Sequence, residues 1–227
     1  MAVRKRATQM TDAEEERFRD TITTLIQNGT YGQLVSHHAN MMHNMHSSMG
    51  FVGRQRFLPW HRVYLLRLEE AMQAINPLCF IPYWGWTTQR RVPPWLASFR
   101  PTVNISGQGN VTVTRNVGAP PPLPTTAHVS DVLSETTYTD FTTQVEFIHN
   151  DVHGWVGGTM SLITTSPADP LFWLHHAQVD RLWSQWQAKP SNAGKNPTLS
   201  GNNRIMDPWP ETAAQVRSIA SLGYSYG

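Results

Sequence analysis

Several things are scarce in this 227-residue chain, and each scarcity excludes something. Cysteine occurs once, at Cys79, which rules out an intrachain disulfide framework and any zinc ribbon or iron–sulfur site built on several thiolates. Charged residues make up 15% of the chain, against roughly 25% in an average globular protein. With a formal charge of +2 and no basic run beyond Arg4-Lys5-Arg6, nothing points to nucleic acid. No apolar run approaches the ~20 residues of a membrane span, and the N-terminus has no signal-peptide stretch. The expected compartment is therefore the cytoplasm, or export together with a partner. Disorder is excluded as well, because hydrophobic residues reach 40% and nine Trp supply core material.

What is abundant is histidine. Of ten, five fall between positions 37 and 61 (His37, His38, His43, His46, His61) and four between 149 and 176 (His149, His153, His175, His176). Imidazole is the commonest metal ligand, so two clusters predict two metals or two halves of one site. The surrounding pattern is helical. Thr11 to Glu14 reads as a capping box, followed by Phe18, Ile22, Leu25 and Ile26 at helical spacing, with Asn28-Gly29 as a stop. A second helix begins near Tyr31 and carries Leu34, Val35, His38 and Met42 on one face. Gly50 to Arg56 reads as loop, and Pro59 suits the first turn of a third helix with His61, Leu65, Leu68 and Met72 in its buried stripe. Residues 81–140 are poor in helical periodicity and read as long loops, with Val111 to Thr114 as a short β-prone piece. A fourth helix runs from about Phe141 to His153, and Asp169-Pro170 starts a fifth carrying Phe172, His176, Val179 and Trp183.

His149 and His153 are four apart, so on a helix both imidazoles leave the same face and can share one metal. The zinc-protease motif has this spacing but needs Glu after the first His, where this chain has Asn150. Neighbouring helical residues differ by ~100° in direction, so one of His175 and His176 faces the metal. His176 shares the apolar stripe and is the choice, leaving His175 as a supporting residue. In the first cluster His61 and His38 face inward, and the third ligand is open between His43 and His46. Imidazole-only sets suit copper, iron, nickel or zinc. Acids are scarce in both clusters, which favours a dinuclear redox site over a carboxylate-bridged hydrolytic one.

Phe57-Leu58-Pro59-Trp60-His61-Arg62 resembles the first copper-site signature of the type 3 copper proteins, specifically the tyrosinases. Pro82-Tyr83-Trp84-Gly85-Trp86 resembles the family's PYWDW segment with Gly85 where Asp is usual, and His149 to Gly158 resembles its HNxVHxWVGG helix and loop. Asp169 to His176, followed by Val179-Asp180, resembles the second copper-site signature. Val3-Arg4-Lys5, the Tyr31 helix and the aromatic pair Tyr224 and Tyr226 are similar to bacterial tyrosinases of the Streptomyces type.

The resemblance implies a mainly α fold: an antiparallel helical bundle around a dinuclear copper site, with long loops and minor short β-strands. It implies one catalytic domain over 1–227 without a C-terminal shielding domain, and copper arriving from solution or from a copper-loading partner protein. One copper falls to His38, His61 and a middle histidine, the other to His149, His153 and His176. Tyrosinases usually place the middle ligand nine residues before the FLPWH histidine, which here is Val52; His46 is the substitute and His43 the alternate. O2 is the implied co-substrate, with monophenols hydroxylated in the ortho position and o-diphenols oxidised to o-quinones. Asn150 and a shifted Glu146 are the candidates for activating a water that takes the phenol proton. The rivals are a catechol oxidase or o-aminophenol oxidase without hydroxylation, a hemocyanin-like O2 carrier and, least favoured, a zinc hydrolase. Met41, Met42, Met45 and Met49 read as flexible packing around the first cluster, with passage of copper inward as the alternative. Cys79 reads as a buried free thiol.

Overall fold

A computed structural model describes residues 2–227. Its helices are α1 (Asp12–Gln27), α2 (Thr30–Ala39), α3 (Gly50–Ile75), the short α4 (Pro94–Ala97), α5 (Thr126–Ser134), α6 (Tyr138–Val156) and α7 (Pro170–Gln187). The strands are β1 (Ala2–Arg4), β2 (Thr102–Ile105), β3 (Gly109–Thr112) and β4 (Tyr224–Tyr226). β2 and β3 form an antiparallel hairpin, and β1 lies parallel to β4. Helices α2, α3, α6 and α7 form the bundle, with α3 packed against the other three. Among the described residues no helix is long and apolar enough to cross a membrane.

The caps behave as their sequences predict. Thr11 and Glu14 exchange side-chain and backbone hydrogen bonds in a capping box at α1. Asp169 accepts the Leu171 N–H at 2.9 Å, and Pro170 takes the first helical position of α7. The first two residues of the β-prone piece, Val111 and Thr112, lie in β3, whereas Val113 and Thr114 fall beyond it, and Cys79 is a buried free thiol.

Three expectations are corrected. Residues 50–56 are not loop: α3 begins at Gly50, so Pro59 and His61 lie well inside a 26-residue helix. An interior proline has no N–H for the carbonyl four residues back and normally breaks a helix. Here that carbonyl, on Gln55, accepts the Tyr138 hydroxyl at 3.0 Å, and the preceding Arg54 carbonyl accepts Thr142 Oγ1 at 3.2 Å. Met42 is not on the buried face of α2, because the helix ends at Ala39 and Met42 is 81% exposed. The segment 81–140 also contains a nine-residue helix, α5, capped by Thr125, whose side chain accepts the His128 N–H.

The basic tripeptide at the N-terminus is not a surface stripe. Arg4 is fully buried, with Nη2 2.9 Å from Glu69 Oε2 and Nη1 3.4 Å from Asp180 Oδ2. Asp180 also accepts Arg62 Nε at 2.5 Å and the hydroxyls of Tyr224 and Tyr226 at 2.7 and 2.6 Å. Burial alone would raise the Asp180 carboxyl, but Arg62 and Arg4 overcome it and hold it below the usual carboxylate value. This network ties β1 and β4 to α3 and α7. Gly85, in the segment where Asp is usual, is buried against Arg6, whose Nε would lie 3.4 Å from a Cβ at that position.

Candidate metal centre

Each bundle helix delivers imidazole to the same interior. His38 comes from the last turn of α2, His61 from mid-α3, His149 and His153 from successive turns of α6, and His176 from the second turn of α7. His46 arrives from an extended residue just before the 3-10 turn Ser47–Met49. The nitrogens form two sets, one of His38, His46 and His61, the other of His149, His153, His175 and His176.

In both sets the Nε2 atoms converge. His38 Nε2 lies 3.3 Å from those of His46 and His61. His149 Nε2 lies 3.1 Å from that of His176 and 2.9 Å from that of His153, and His153 to His176 is 3.4 Å. The sets face each other, with the rings of His61 and His176 stacked at 4.4 Å.

The opposite ring nitrogens explain the orientation. His38, His61 and His153 donate their Nδ1–H to the carbonyls of Ile163, Phe57 and Met160, each at 2.8 Å. His149 Nδ1 donates to Asn150 Oδ1 at 3.1 Å, and His46 Nδ1 to Glu146 Oε1 at 3.3 Å. A carbonyl can only accept, so these bonds put the proton on Nδ1 and leave the lone pair on Nε2. Burial, then neighbouring imidazoles, holds His61, His149 and His176 well below the usual histidine value, and His38 likewise. His153 is lowered to about 4 by burial, against a raising contribution from its Met160 hydrogen bond.

Neutral lone pairs aimed at one another with no donor between them repel, unless a cation takes them all. Imidazole nitrogens bind such ions at roughly 2.0–2.1 Å, which puts ligand nitrogens of a trigonal or tetrahedral set about 3.3–3.6 Å apart. The separations of 3.3–3.4 Å fit that spacing, and those of 2.9 and 3.1 Å around His149 fall slightly short of it. The donor set is the imidazole that suits copper, iron, nickel or zinc.

The structure separates the two candidates for the middle ligand. His46 joins His38 and His61, whereas His43 Nδ1 donates to Asp207 Oδ2 at 2.6 Å and its ring lies over Trp60. His175 is fully buried, stacks on His149 at 4.9 Å, and neither of its nitrogens has a hydrogen-bond partner. The carbonyls of Ile163 and Met160 were not predictable as imidazole anchors, since every residue carries one. Glu146 is buried on the ligand face of α6, as its i−3 spacing from His149 predicts, but its contact with His46 has no signal in the sequence. A cavity of about 160 Å³ opens on the two sets, bordered by Ser47, Ser48, Glu146, Asn150, Ser161 and Ile163. Two larger clefts, one between Arg181 and Arg217 and one between Arg6 and Arg91, contain no histidine.

Two facing sets of imidazoles inside a helical bundle define a protein with a histidine-built centre that could hold metal. The family model described as "Common central domain of tyrosinase" matches residues 28–118 and 103–189. Tyrosinases of Streptomyces glaucescens and Streptomyces antibioticus are each 32% identical to the chain, covering 94% and 93% of it and 94% of their own lengths. Hemocyanin units G and H of Sepia officinalis are 30% identical over 82% of this chain and 38% of theirs. Among solved structures, an octopus hemocyanin functional unit superposes with a TM-score of 0.80 at 25% identity, covering all of this chain and 68% of that one. Polyphenol oxidase from Vitis vinifera shares the fold, with a TM-score of 0.74 at 18% identity over all of this chain and 85% of that one. The chain belongs to the tyrosinase family, and its histidine centre suits copper.

Proposed function

We propose that this protein is a copper oxidase of the tyrosinase type, which hydroxylates monophenols in the ortho position and oxidises o-diphenols to o-quinones. The observation that carries the proposal is the convergence of imidazole Nε2 atoms in two facing sets beside an accessible cavity. His38, His46 and His61 would hold one copper ion, and His149, His153 and His176 the other. Bound there, a copper pair supplies the activation of O2 and the electron transfer. Residues 2–227 act as one catalytic unit in this reading, since β1 and β4 join the two ends of the chain.

The chain's own residues bind and deprotonate the phenol. At about 160 Å³ the cavity is smaller than the roughly 300–1,000 Å³ of sites for drug-sized ligands, so it takes a single aromatic ring. Met160 and Ile163 offer apolar wall, and Ser47, Ser48 and Ser161 a polar rim. Glu146 is the one carboxylate that borders the cavity, and Asn150 lies one helical turn further along α6. A water held between them takes the phenol proton and passes it to Glu146. Glu146→Gln removes the basicity while keeping an oxygen acceptor, so monophenol turnover should fall more than diphenol turnover. Equal losses on both substrates would remove Glu146 from this role.

The decisive experiment loads the protein with copper, reduces it, admits O2 and follows the near-ultraviolet spectrum together with tyrosine and catechol oxidation. An oxygen-dependent band with turnover of both substrates is expected. A band with catechol turnover alone would instead make the protein a catechol oxidase or o-aminophenol oxidase. A reversible band without turnover would make it an O2 carrier, in keeping with its likeness to hemocyanin. Failure to bind two copper ions per chain overturns the proposal. Preparing the protein with copper salt alone also shows whether loading requires a partner protein.

A further inference from the structure

His46 is the one candidate ligand with no helix behind it. The other five ride on α2, α3, α6 and α7, whereas His46 has extended backbone (φ −134°, ψ 151°) ahead of a single 3-10 turn. Irregular segments leave a side chain more freedom than helices do, yet His46 Nε2 sits 3.3 Å from that of His38.

Two contacts hold it there. From α6, Glu146 is 3% exposed and its Oε1 accepts both His46 Nδ1–H at 3.3 Å and the Ser47 backbone N–H at 2.9 Å. Its Oε2 lies 3.2 Å from the same Ser47 nitrogen. From α3, Gly53 presses against the His46 carbonyl so closely that a Cβ there would lie 2.0 Å from the oxygen, a distance only glycine allows. Among the six candidate ligands His46 alone is paired with a carboxylate; the other anchored rings donate to carbonyl oxygens.

Resting on the two-copper reading, we infer that Glu146 is the positioning residue that makes His46 a copper ligand. Its carboxylate fixes the Nδ1–H tautomer, turns Nε2 toward His38 and His61, and holds the following residue so that the ring cannot swing into solvent. A carboxylate partner also makes an imidazole a stronger donor than a carbonyl partner does. The carboxylate thus replaces the regular structure that this ligand lacks. It also ties the His38–His46–His61 set to α6, which carries two ligands of the other set.

The test compares Glu146→Ala with Glu146→Gln by copper titration and by electron paramagnetic resonance of the cupric protein, independently of turnover. The alanine variant should bind one copper as wild type does and the second about 10–100-fold more weakly, the usual loss when the partner of a ligating histidine is removed. At limiting copper it should show the signal of an isolated cupric ion. Glutamine keeps an oxygen that accepts from His46 and Ser47, so it should restore both the stoichiometry and the coupled, signal-free pair. His46→Ala should reproduce the alanine phenotype, and adding Glu146→Ala to it should weaken copper binding no further. If Glu146→Ala does not fold, Glu146→Met, which keeps volume but offers no oxygen acceptor, carries the same expectation. Two copper ions bound with wild-type affinity in the alanine or methionine variant would overturn the inference while leaving the function standing. Failure of the wild-type chain to bind two would overturn the function itself.

Discussion

At the scale of single residues, the centre depends on which nitrogen of each imidazole carries the proton. Carbonyl partners settle this for His38, His61 and His153, and Asn150 does so for His149. His43 has the right chemistry but the wrong partner, since Asp207 holds its ring away from the other three. His43→Ala should therefore leave two copper ions per chain, while His46→Ala should leave one tightly bound ion; metal analysis after dialysis distinguishes them. Gly53→Ala should also weaken the first set, because its methyl group would strike the His46 carbonyl. The expected readout is loss of the weaker-bound copper with little change in helix content. The convergence of His149, His153 and His176 was legible from spacing and signature alone. His46 was legible only as one of two alternatives, because its direction depends on contacts with α3 and α6 rather than on a helical face.

At the scale of elements, α3 shows how a proline is accommodated inside the helix that carries His61. The Gln55 carbonyl, orphaned by Pro59, is taken by the Tyr138 hydroxyl from the start of α6. Tyr138→Phe should destabilise the protein by about 1–3 kcal/mol, the usual cost of leaving a buried polar group unpaired. In a Pro59→Ala background that cost should shrink, since the new N–H at 59 takes the carbonyl back; urea unfolding of the four proteins measures the difference. A loop reading of Gly50 to Arg56 followed from Pro59 as a helix start, because the compensating hydroxyl lies 83 positions away in sequence. The caps of α1 and α7 were legible because every group involved lies within four residues.

At the scale of the whole molecule, two buried systems contribute to stability, one sensitive to metal and the other independent of it. His38, His61, His149 and His176 are held neutral by burial, with folded values below the unfolded ~6.5. Below that pH the unfolded chain binds more protons, so the metal-free protein should lose stability as pH falls from about 6.5 toward the value of about 4 at His153. Copper should flatten this dependence, since protons and metal compete for the same lone pairs. Thermal denaturation of both forms between pH 7 and pH 5 tests it. The Asp180 network titrates lower: a carboxyl held below its unfolded ~3.9 contributes fully above that pH and is lost as pH falls through its folded value. Replacing its partner leaves charge buried without compensation, so Arg4→Ala should cost about 3–5 kcal/mol in chemical denaturation with metal bound or absent.

By itself the sequence determined the chemistry. Nine clustered histidines, the four-residue step from His149 to His153 and the scarcity of cysteine and acid near them specify an imidazole-only metal centre on helices. These are local properties, carried by residue type and helical period. Tertiary structure alone decided that His46 and not His43 meets His38 and His61, the attachment of Glu146 to His46, the survival of α3 through Pro59, and the burial of Arg4 against Glu69 and Asp180. Each of these rests on a contact between segments 65 to 176 positions apart. Spacing along one helix encodes the direction of a side chain, but nothing local encodes which distant group will meet it.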